Sequence, residues 1–92
     1  MYYNYRIRLT GSFLHKGFGF SCMQMAFEHR LTGTLLYESE NSILIEISGR
    51  EKDILMAIEM CKGVSFIREV IILSKTRTTK TFIDFIMLNQ ID

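Results

Sequence analysis

A glycine-rich segment lies between a strand pattern and a helix pattern near the start of the chain, and this junction constrains the fold most strongly. The segment is Gly17-Phe18-Gly19-Phe20-Ser21. A tight turn of this kind directs backbone N–H groups outward at the start of a helix, where proteins commonly hold phosphate. The segment therefore predicts a β-strand, an anion-binding loop and an α-helix in succession.

The spacing of apolar residues supports this order. Over residues 5–10 apolar and polar side chains alternate, which is typical of a half-buried strand. Over residues 21–30 apolar side chains recur at helical spacing. Ser21 and Gln24 also fit a capping box, so the pattern predicts Ser21 as the N-cap residue of this helix.

The rest of the chain completes an alternation of strands and helices. The predicted later elements are a strand at 34–37, a polar turn at 38–41, a strand at 43–47 that Gly49 ends, a helix that Gly63 ends, a strand at 64–74, a basic loop at 75–80 and a strand at 82–88. The order is βαββαβ with an added C-terminal strand. It predicts an α+β ferredoxin-like sandwich, in which an antiparallel sheet carries two helices on one face, and residues 1–92 are expected to form a single domain.

Composition argues against several classes of function. A formal net charge of +1 over 92 residues does not provide the basic surface that non-specific nucleic-acid binding needs. There is no signal-peptide pattern and no apolar run near the ~20 residues of a membrane span, so no membrane partner is expected.

The cysteines and histidines do not form a metal-binding pattern. Cys22 and Cys61 are expected to be free thiols on helices in a reducing cytoplasm, and a disulfide is the alternative if those helices are adjacent. Together with His15 and His29 they lack the spacing of a zinc site. Neither a metal nor another cofactor is therefore expected.

The glycine-rich segment and its surroundings resemble the acylphosphatase family. These small ferredoxin-like domains carry G-x-V-Q-G-V-G-F-R between the first strand and the first helix. Gly11 corresponds to the start of this motif and Gly17-Phe18-Gly19-Phe20 to its core, with two additional residues between them. Residues 31–37, LTGTLLY, correspond to the family's G-L-x-G-W-V-R-N, and Gly63 and the closing strand from Phe82 to Met87 also match. The similarity covers nearly the whole chain.

The resemblance implies a function and a set of site residues. The family hydrolyses acyl phosphates to a carboxylate and phosphate without a metal. The residues implied to bind phosphate or an acyl-phosphate-like anion are Lys16, Gly17, Phe18, Gly19 and Phe20. Ser21 stands where the family has the arginine that clamps the phosphate, and Tyr37 where it has the asparagine that orients the attacking water.

These two substitutions predict that hydrolysis is weak or lost. A serine hydroxyl cannot supply the charged, bidentate fork of an arginine. By analogy with oxyanion-hole donors, losing one such group lowers the rate by about 10²–10³. Anion binding by the backbone of the loop is a separate property, which the substitutions leave intact.

Alternative interpretations remain open at this stage. Lys16 or His15 compensates for the missing arginine in one hypothesis, although an exposed lysine is the more common situation. The other hypotheses are a working acylphosphatase, a non-enzymatic ferredoxin-like binding or regulatory module, and an interaction protein that pairs through its third or fifth strand. A monomer or a weak dimer is expected. Cys22 is not predicted to be a phosphatase nucleophile, because the arginine position of a C-x5-R loop is Glu28.

Overall fold

A computed structural model describes residues 2–91 and contains five strands and two helices. Their bounds are β1 Tyr2–Gly11, α1 Phe18–Glu28, β2 Thr32–Ser39, β3 Ser42–Arg50, α2 Glu51–Lys62, β4 Ile67–Thr78 and β5 Phe85–Met87. The strand order is β4-β1-β3-β2-β5, with antiparallel neighbours except for β5, which lies parallel to β2. Helix α1 packs on β2 and β5, and α2 packs on β4, β3 and β1. The predicted α+β ferredoxin-like fold with an added C-terminal strand is confirmed.

The core lies between the helices and the central strands. In β1 the alternation places Tyr5, Ile7 and Leu9 in the core, where each is less than 5% exposed. Ile45 of β3 lies opposite Ile7 in the sheet, and Ile54 of α2 is fully buried above these strands. Removing one such aliphatic side chain from water contributes roughly 1.5–3 kcal/mol. The period-two pattern in β1 and β3 therefore fixes which face of the sheet the helices cover.

The predicted boundaries of the last two strands were wrong. Residues 75–78, predicted as loop, are the last four residues of β4, and Lys75 lies opposite Tyr5 of β1. A register shift between Arg6 and Ile7 interrupts the alternation that would have revealed this extension. The final strand covers only Phe85–Met87, so the residues around Phe82 are loop rather than strand.

The centre of the sheet also differs from the prediction. Gly49 does not end β3, because it pairs with Tyr3 and the side chain of Leu31 fills the space that a Cβ at this position would need. Since β3 lies between β1 and β2, it has no free edge through which to pair with another chain. That part of the strand-pairing hypothesis is wrong, and among the described strands the sheet ends at β4 and β5.

A cluster around Lys75 joins β4, β1 and the start of α2. The Lys75 ammonium lies 2.7 Å from Glu51 Oε2 and over the rings of Tyr3 and Tyr5, at 5.2 and 5.9 Å from their centroids. The Tyr5 hydroxyl donates a hydrogen bond of 2.5 Å to the same carboxylate. The hydrogen bond from Lys75, followed by that from Tyr5, lowers the pKa of Glu51. The cluster thus favours the ionised form of Glu51 in the folded state.

We expect the free energy of unfolding to decrease in acid because of Glu51. Its pKa is lower in the folded state than in the unfolded chain, so its contribution is present above the unfolded value of about 4.3 and is lost as the pH falls through the folded value. Urea midpoints between about pH 3 and pH 7 measure this effect. Glu51→Gln should flatten the acid limb, whereas Glu40→Gln, in an exposed turn, should keep the wild-type profile. Identical profiles for the two variants would contradict the assignment.

Helix α1 ends in a Schellman turn that contains an arginine. The Leu31 N–H donates to the Ala26 carbonyl at 2.8 Å, and the Arg30 N–H donates to the Phe27 carbonyl at 3.3 Å. Arg30 has φ 58°, the left-handed conformation in which glycine is usual at this position. A residue with a Cβ loses roughly 1–2 kcal/mol in this conformation relative to the right-handed one. Arg30 is therefore held at a backbone cost that a glycine would avoid.

Replacing this arginine with glycine should stabilise the fold. Arg30→Ala keeps the Cβ and removes the charged side chain, so it is the matched control. Arg30→Gly should exceed Arg30→Ala by about 1 kcal/mol in the free energy of unfolding, because only glycine relieves the left-handed strain. Chemical denaturation of both variants measures the difference. A glycine variant no more stable than the alanine variant would show that the turn is unstrained.

Candidate functional site

The loop before α1 is held in place by the turn between β2 and β3. The Gly11 N–H donates to the Asn41 carbonyl at 3.0 Å, and the Asn41 side-chain amide donates to the Gly11 carbonyl at 2.9 Å. The Phe13 N–H donates to the Glu40 carbonyl at 2.9 Å, and the Phe13 side chain is buried. The turn at Glu40 and Asn41 therefore fixes the loop several residues before the glycine-rich segment begins. Sequence reasoning gave Asn41 no such role.

Phe18 anchors the start of α1 in the core. Its ring lies 5.6 Å from that of Phe13 and 5.9 Å from that of Phe66, measured between centroids, with an edge-on geometry to Phe66. Aromatic pairs at these separations stabilise by about 0.5–1.5 kcal/mol beyond the burial of their area. Phe20, two residues later, is 59% exposed and is not part of this cluster. Only Phe18 of these two candidate site residues is therefore held by packing.

Helix α1 begins earlier than its sequence pattern predicts. Its N-cap is Gly17, with φ 62°, and no side chain caps the helix. The Ser21 N–H already donates to the Gly17 carbonyl at 3.2 Å, so Ser21 lies within the first turn and its side chain is exposed. The predicted capping role of Ser21 was wrong, because the left-handed conformation of Gly17 turns the chain into the helix before Ser21 is reached.

Tyr37 reaches the N-terminus of α1 from β2. Its hydroxyl accepts a hydrogen bond of 2.9 Å from the Gly19 N–H, in a position where Tyr37 is 8% exposed. A Cβ on Gly19 would lie 3.0 Å from Tyr37 Oη and would collide with Met87 Sδ, so glycine allows this close approach without a displacement of the Met87 side chain. The Gly19 N–H, which is predicted to bind the anion, therefore donates to a side chain of the same protein instead.

Asn89 fixes the strand that carries Tyr37. The Tyr37 N–H donates to Asn89 Oδ1 at 2.8 Å, and the Asn89 side-chain amide donates to the Tyr37 carbonyl at 2.9 Å. The Leu88 N–H also donates to the Leu35 carbonyl at 2.8 Å. Asn89 therefore extends the pairing of β5 with β2 through its side chain. Sequence reasoning missed Asn89 and Met87 as neighbours of the site, because neither lies near Tyr37 or Gly19 along the chain.

The candidate cations lie on the outside of the loop. The Lys16 ammonium is 5.6 Å from the centroid of the Phe66 ring, in a cation–π contact, and Lys16 is exposed. His15 is exposed as well and has a left-handed backbone, φ 61°. Of the predicted site residues, the structure brings Gly19 and Tyr37 into direct contact, whereas Lys16, Phe20 and Ser21 have exposed side chains.

The cysteines are not poised for nucleophilic chemistry. Both are free and buried. Burial raises the pKa of the Cys22 thiol, and the nearby Cys61 raises it further; burial raises the pKa of Cys61 to about 11. Both thiols are therefore protonated near neutral pH. Residues 2–91 contain no group of three or more histidine, cysteine, aspartate or glutamate side chains arranged to hold a metal ion. Neither of the two described helices has the length and apolar run needed to cross a membrane.

Comparison with solved structures identifies the class of fold. The acylphosphatase from Bacillus subtilis matches with a TM-score of 0.83 and 19% identity, over 95% of this chain and 99% of that chain. The acylphosphatase from Coxiella burnetii matches with a TM-score of 0.77 and 18% identity, over 94% and 92% of the two chains. The BLUF structure of BlrP1 matches with a TM-score of 0.78 and 13% identity, over 97% of this chain and 65% of that chain. Neither a protein-family profile nor a curated protein matches the sequence. The chain has the acylphosphatase-type α+β fold.

Removing the Tyr37 hydroxyl should destabilise the protein. Tyr37→Phe leaves the buried Gly19 N–H without its acceptor, and an unsatisfied buried donor costs about 1–3 kcal/mol. Urea unfolding in a buffer free of phosphate and sulfate measures the loss. Tyr2→Phe is the matched control, because Tyr2 is 45% exposed, and it should have the stability of the wild type. Equal stability of the two variants would contradict a stabilising role for the Gly19–Tyr37 hydrogen bond.

Proposed function

We propose that this chain is an acylphosphatase-like protein in which hydrolysis of acyl phosphates is weak or lost. The observation that carries the proposal is the 2.9 Å hydrogen bond from the Gly19 N–H to the Tyr37 hydroxyl. The same side chain replaces the asparagine that the family resemblance implies for orienting water. Tyr37 stands at the position that would have to support catalysis, but its hydroxyl instead accepts the hydrogen bond of a backbone N–H of the loop.

The electrostatics of the loop support the same conclusion. A transferring phosphoryl group develops charge that a fixed cation stabilises, and Ser21 provides none. Lys16 is exposed and lies over Phe66. An acyl phosphate in this loop would therefore lack the fixed cation of an arginine, and one of the backbone N–H donors already has an acceptor.

Anion binding by the loop is proposed as a competition with Tyr37. Gly17 gives the turn, and the amides of Phe18 and Phe20 belong to the first turn of α1, where N–H groups have no partner within the helix. Phosphate binds there fully only when the Tyr37 hydroxyl leaves the Gly19 amide. Binding of phosphate by the wild type should therefore be weak, and removal of the hydroxyl should strengthen it.

Hydrolysis of benzoyl phosphate and titration with inorganic phosphate test this proposal together. Enzymes ordinarily have kcat values of about 1–10³ s⁻¹. Because the wild type lacks a fixed cation, we expect its kcat to lie at least 10²-fold below the lower end of this range. Tyr37→Asn should increase phosphate-induced shifts of the amide signals of residues 16–21, and Ser21→Arg added to it should increase them further. The control is Tyr2→Asn, which should leave phosphate binding unchanged. Wild-type turnover within the ordinary range would overturn the proposal.

A non-enzymatic binding or regulatory module is the second candidate. It is favoured by the contact that fills the loop and by the similarity of the fold to the BLUF structure of BlrP1. This function predicts a wild type that neither hydrolyses benzoyl phosphate nor binds phosphate. Restored binding in Tyr37→Asn would show that the loop is an acylphosphatase-type cradle that its own tyrosine occupies.

A further inference from the structure

A cavity of about 470 Å³ lies at the opposite end of α1 from the glycine-rich segment. Its walls come from the last turns of α1, the start of β2 and the residues just before β5. This volume falls within the range of small-molecule sites, which is roughly 300–1,000 Å³. The cavity shares no residue with the loop around Gly19, so a ligand site here is independent of the proposed function.

The cavity carries two opposite charges that do not neutralise each other. Arg30 and Asp84 both line it, and neither forms an ion pair within residues 2–91. The Asp84 carbonyl accepts a hydrogen bond of 2.9 Å from the Gly33 N–H, which fixes this residue against β2. A guanidinium recognises a carboxylate through paired hydrogen bonds, and a carboxylate accepts from an ammonium. The lining of the cavity therefore contains a side chain of opposite charge for each end of a zwitterion.

The remaining walls are mainly apolar and unusually exposed. Phe27 is 85% exposed and Ile83 is 99% exposed, and both line the cavity together with Met23. Large apolar side chains grouped in this way are typical of binding sites rather than of ordinary surface. A ligand with an apolar body matches these walls.

The backbone of Arg30 gives a further reason to assign it a function. It occupies the left-handed position of the Schellman turn, where glycine is the favoured residue. Strain of this kind is characteristic of functional positions, where a particular side chain is needed at a particular point. Here the strained residue supplies the cavity with its positive charge.

We propose that this cavity binds a small zwitterion with an apolar body, in chemical terms an apolar or aromatic α-amino acid. Arg30 binds the carboxylate, Asp84 binds the ammonium group, and Phe27 and Ile83 cover the side chain. The protein contributes no covalent step, and binding alone is the activity.

Titration of the full chain with L-phenylalanine and L-leucine, followed by the amide signals in NMR, tests this site. We expect saturable shifts for residues 26–32 and 82–86 and none of comparable size for residues 16–21. Phenylalaninol lacks the carboxylate and N-acetylphenylalanine lacks the ammonium group. Each should bind at least tenfold more weakly, because it loses the hydrogen bonds to one of the two charged side chains.

Variants separate this site from a general apolar surface. Arg30→Gln and Asp84→Asn should each weaken binding of L-phenylalanine about tenfold, whereas Arg68→Gln, at an exposed arginine of β4, should not change it. Arg30→Gly should lose binding while gaining stability, an outcome that a purely structural arginine would not give. The proposal is overturned if neither amino acid gives saturable shifts, or if the charge variants bind as well as the wild type. If N-acetylphenylalaninamide binds as tightly as L-phenylalanine, the cavity is a peptide site, and this result would also overturn the proposal.

Discussion

The close approach of α1 to the sheet depends on the absence of a side chain at Gly19. The helix backbone there contacts Tyr37 of β2 and Met87 of β5, and one amide bonds directly to the tyrosine hydroxyl. Asn89 then ties the backbone of Tyr37 to the chain beyond β5. One contact therefore joins the first helix, the second strand and the C-terminal strand. A larger residue at position 19 would have to displace the Met87 side chain and would press on the tyrosine hydroxyl.

The same contact decides the chemistry of the loop. A helix N-terminus attracts an anion because its free amides and the helix dipole both favour negative charge. The Tyr37 hydroxyl is a neutral acceptor, but it is attached to the protein and so is present at a high effective concentration. Under the proposed function, an external phosphate competes with this hydroxyl for the Gly19 amide and has no arginine to bind. The hydrogen bond thus stabilises the fold in the loop that the proposed function assigns to the anion.

The sequence predicted the framework better than the details of the site. Alternation placed Ile7 and Ile45 in the core because one face of a strand is buried and the other is not. It failed at residues 75–78, where a register shift and long-range partners such as Glu51 decide the structure. Local capping preference pointed to Ser21, but the left-handed Gly17 started the helix first. The substitution at Tyr37 was visible, whereas its bond to Gly19 arises only from the packing of α1 on β2.

The two ends of α1 differ in what their backbone requires. At the N-terminus the Tyr37 hydroxyl accepts the hydrogen bond of the Gly19 N–H, and Gly19 is free of left-handed strain. At the C-terminus Arg30 adopts a conformation that suits glycine better. A cation there interacts favourably with the helix dipole, by about 0.3–1 kcal/mol, but a cation in the last helical turn would gain this without left-handed strain. The dipole alone therefore does not account for an arginine at this position. The charge of Asp84 in the same cavity does, because together the two side chains recognise both ends of a zwitterion.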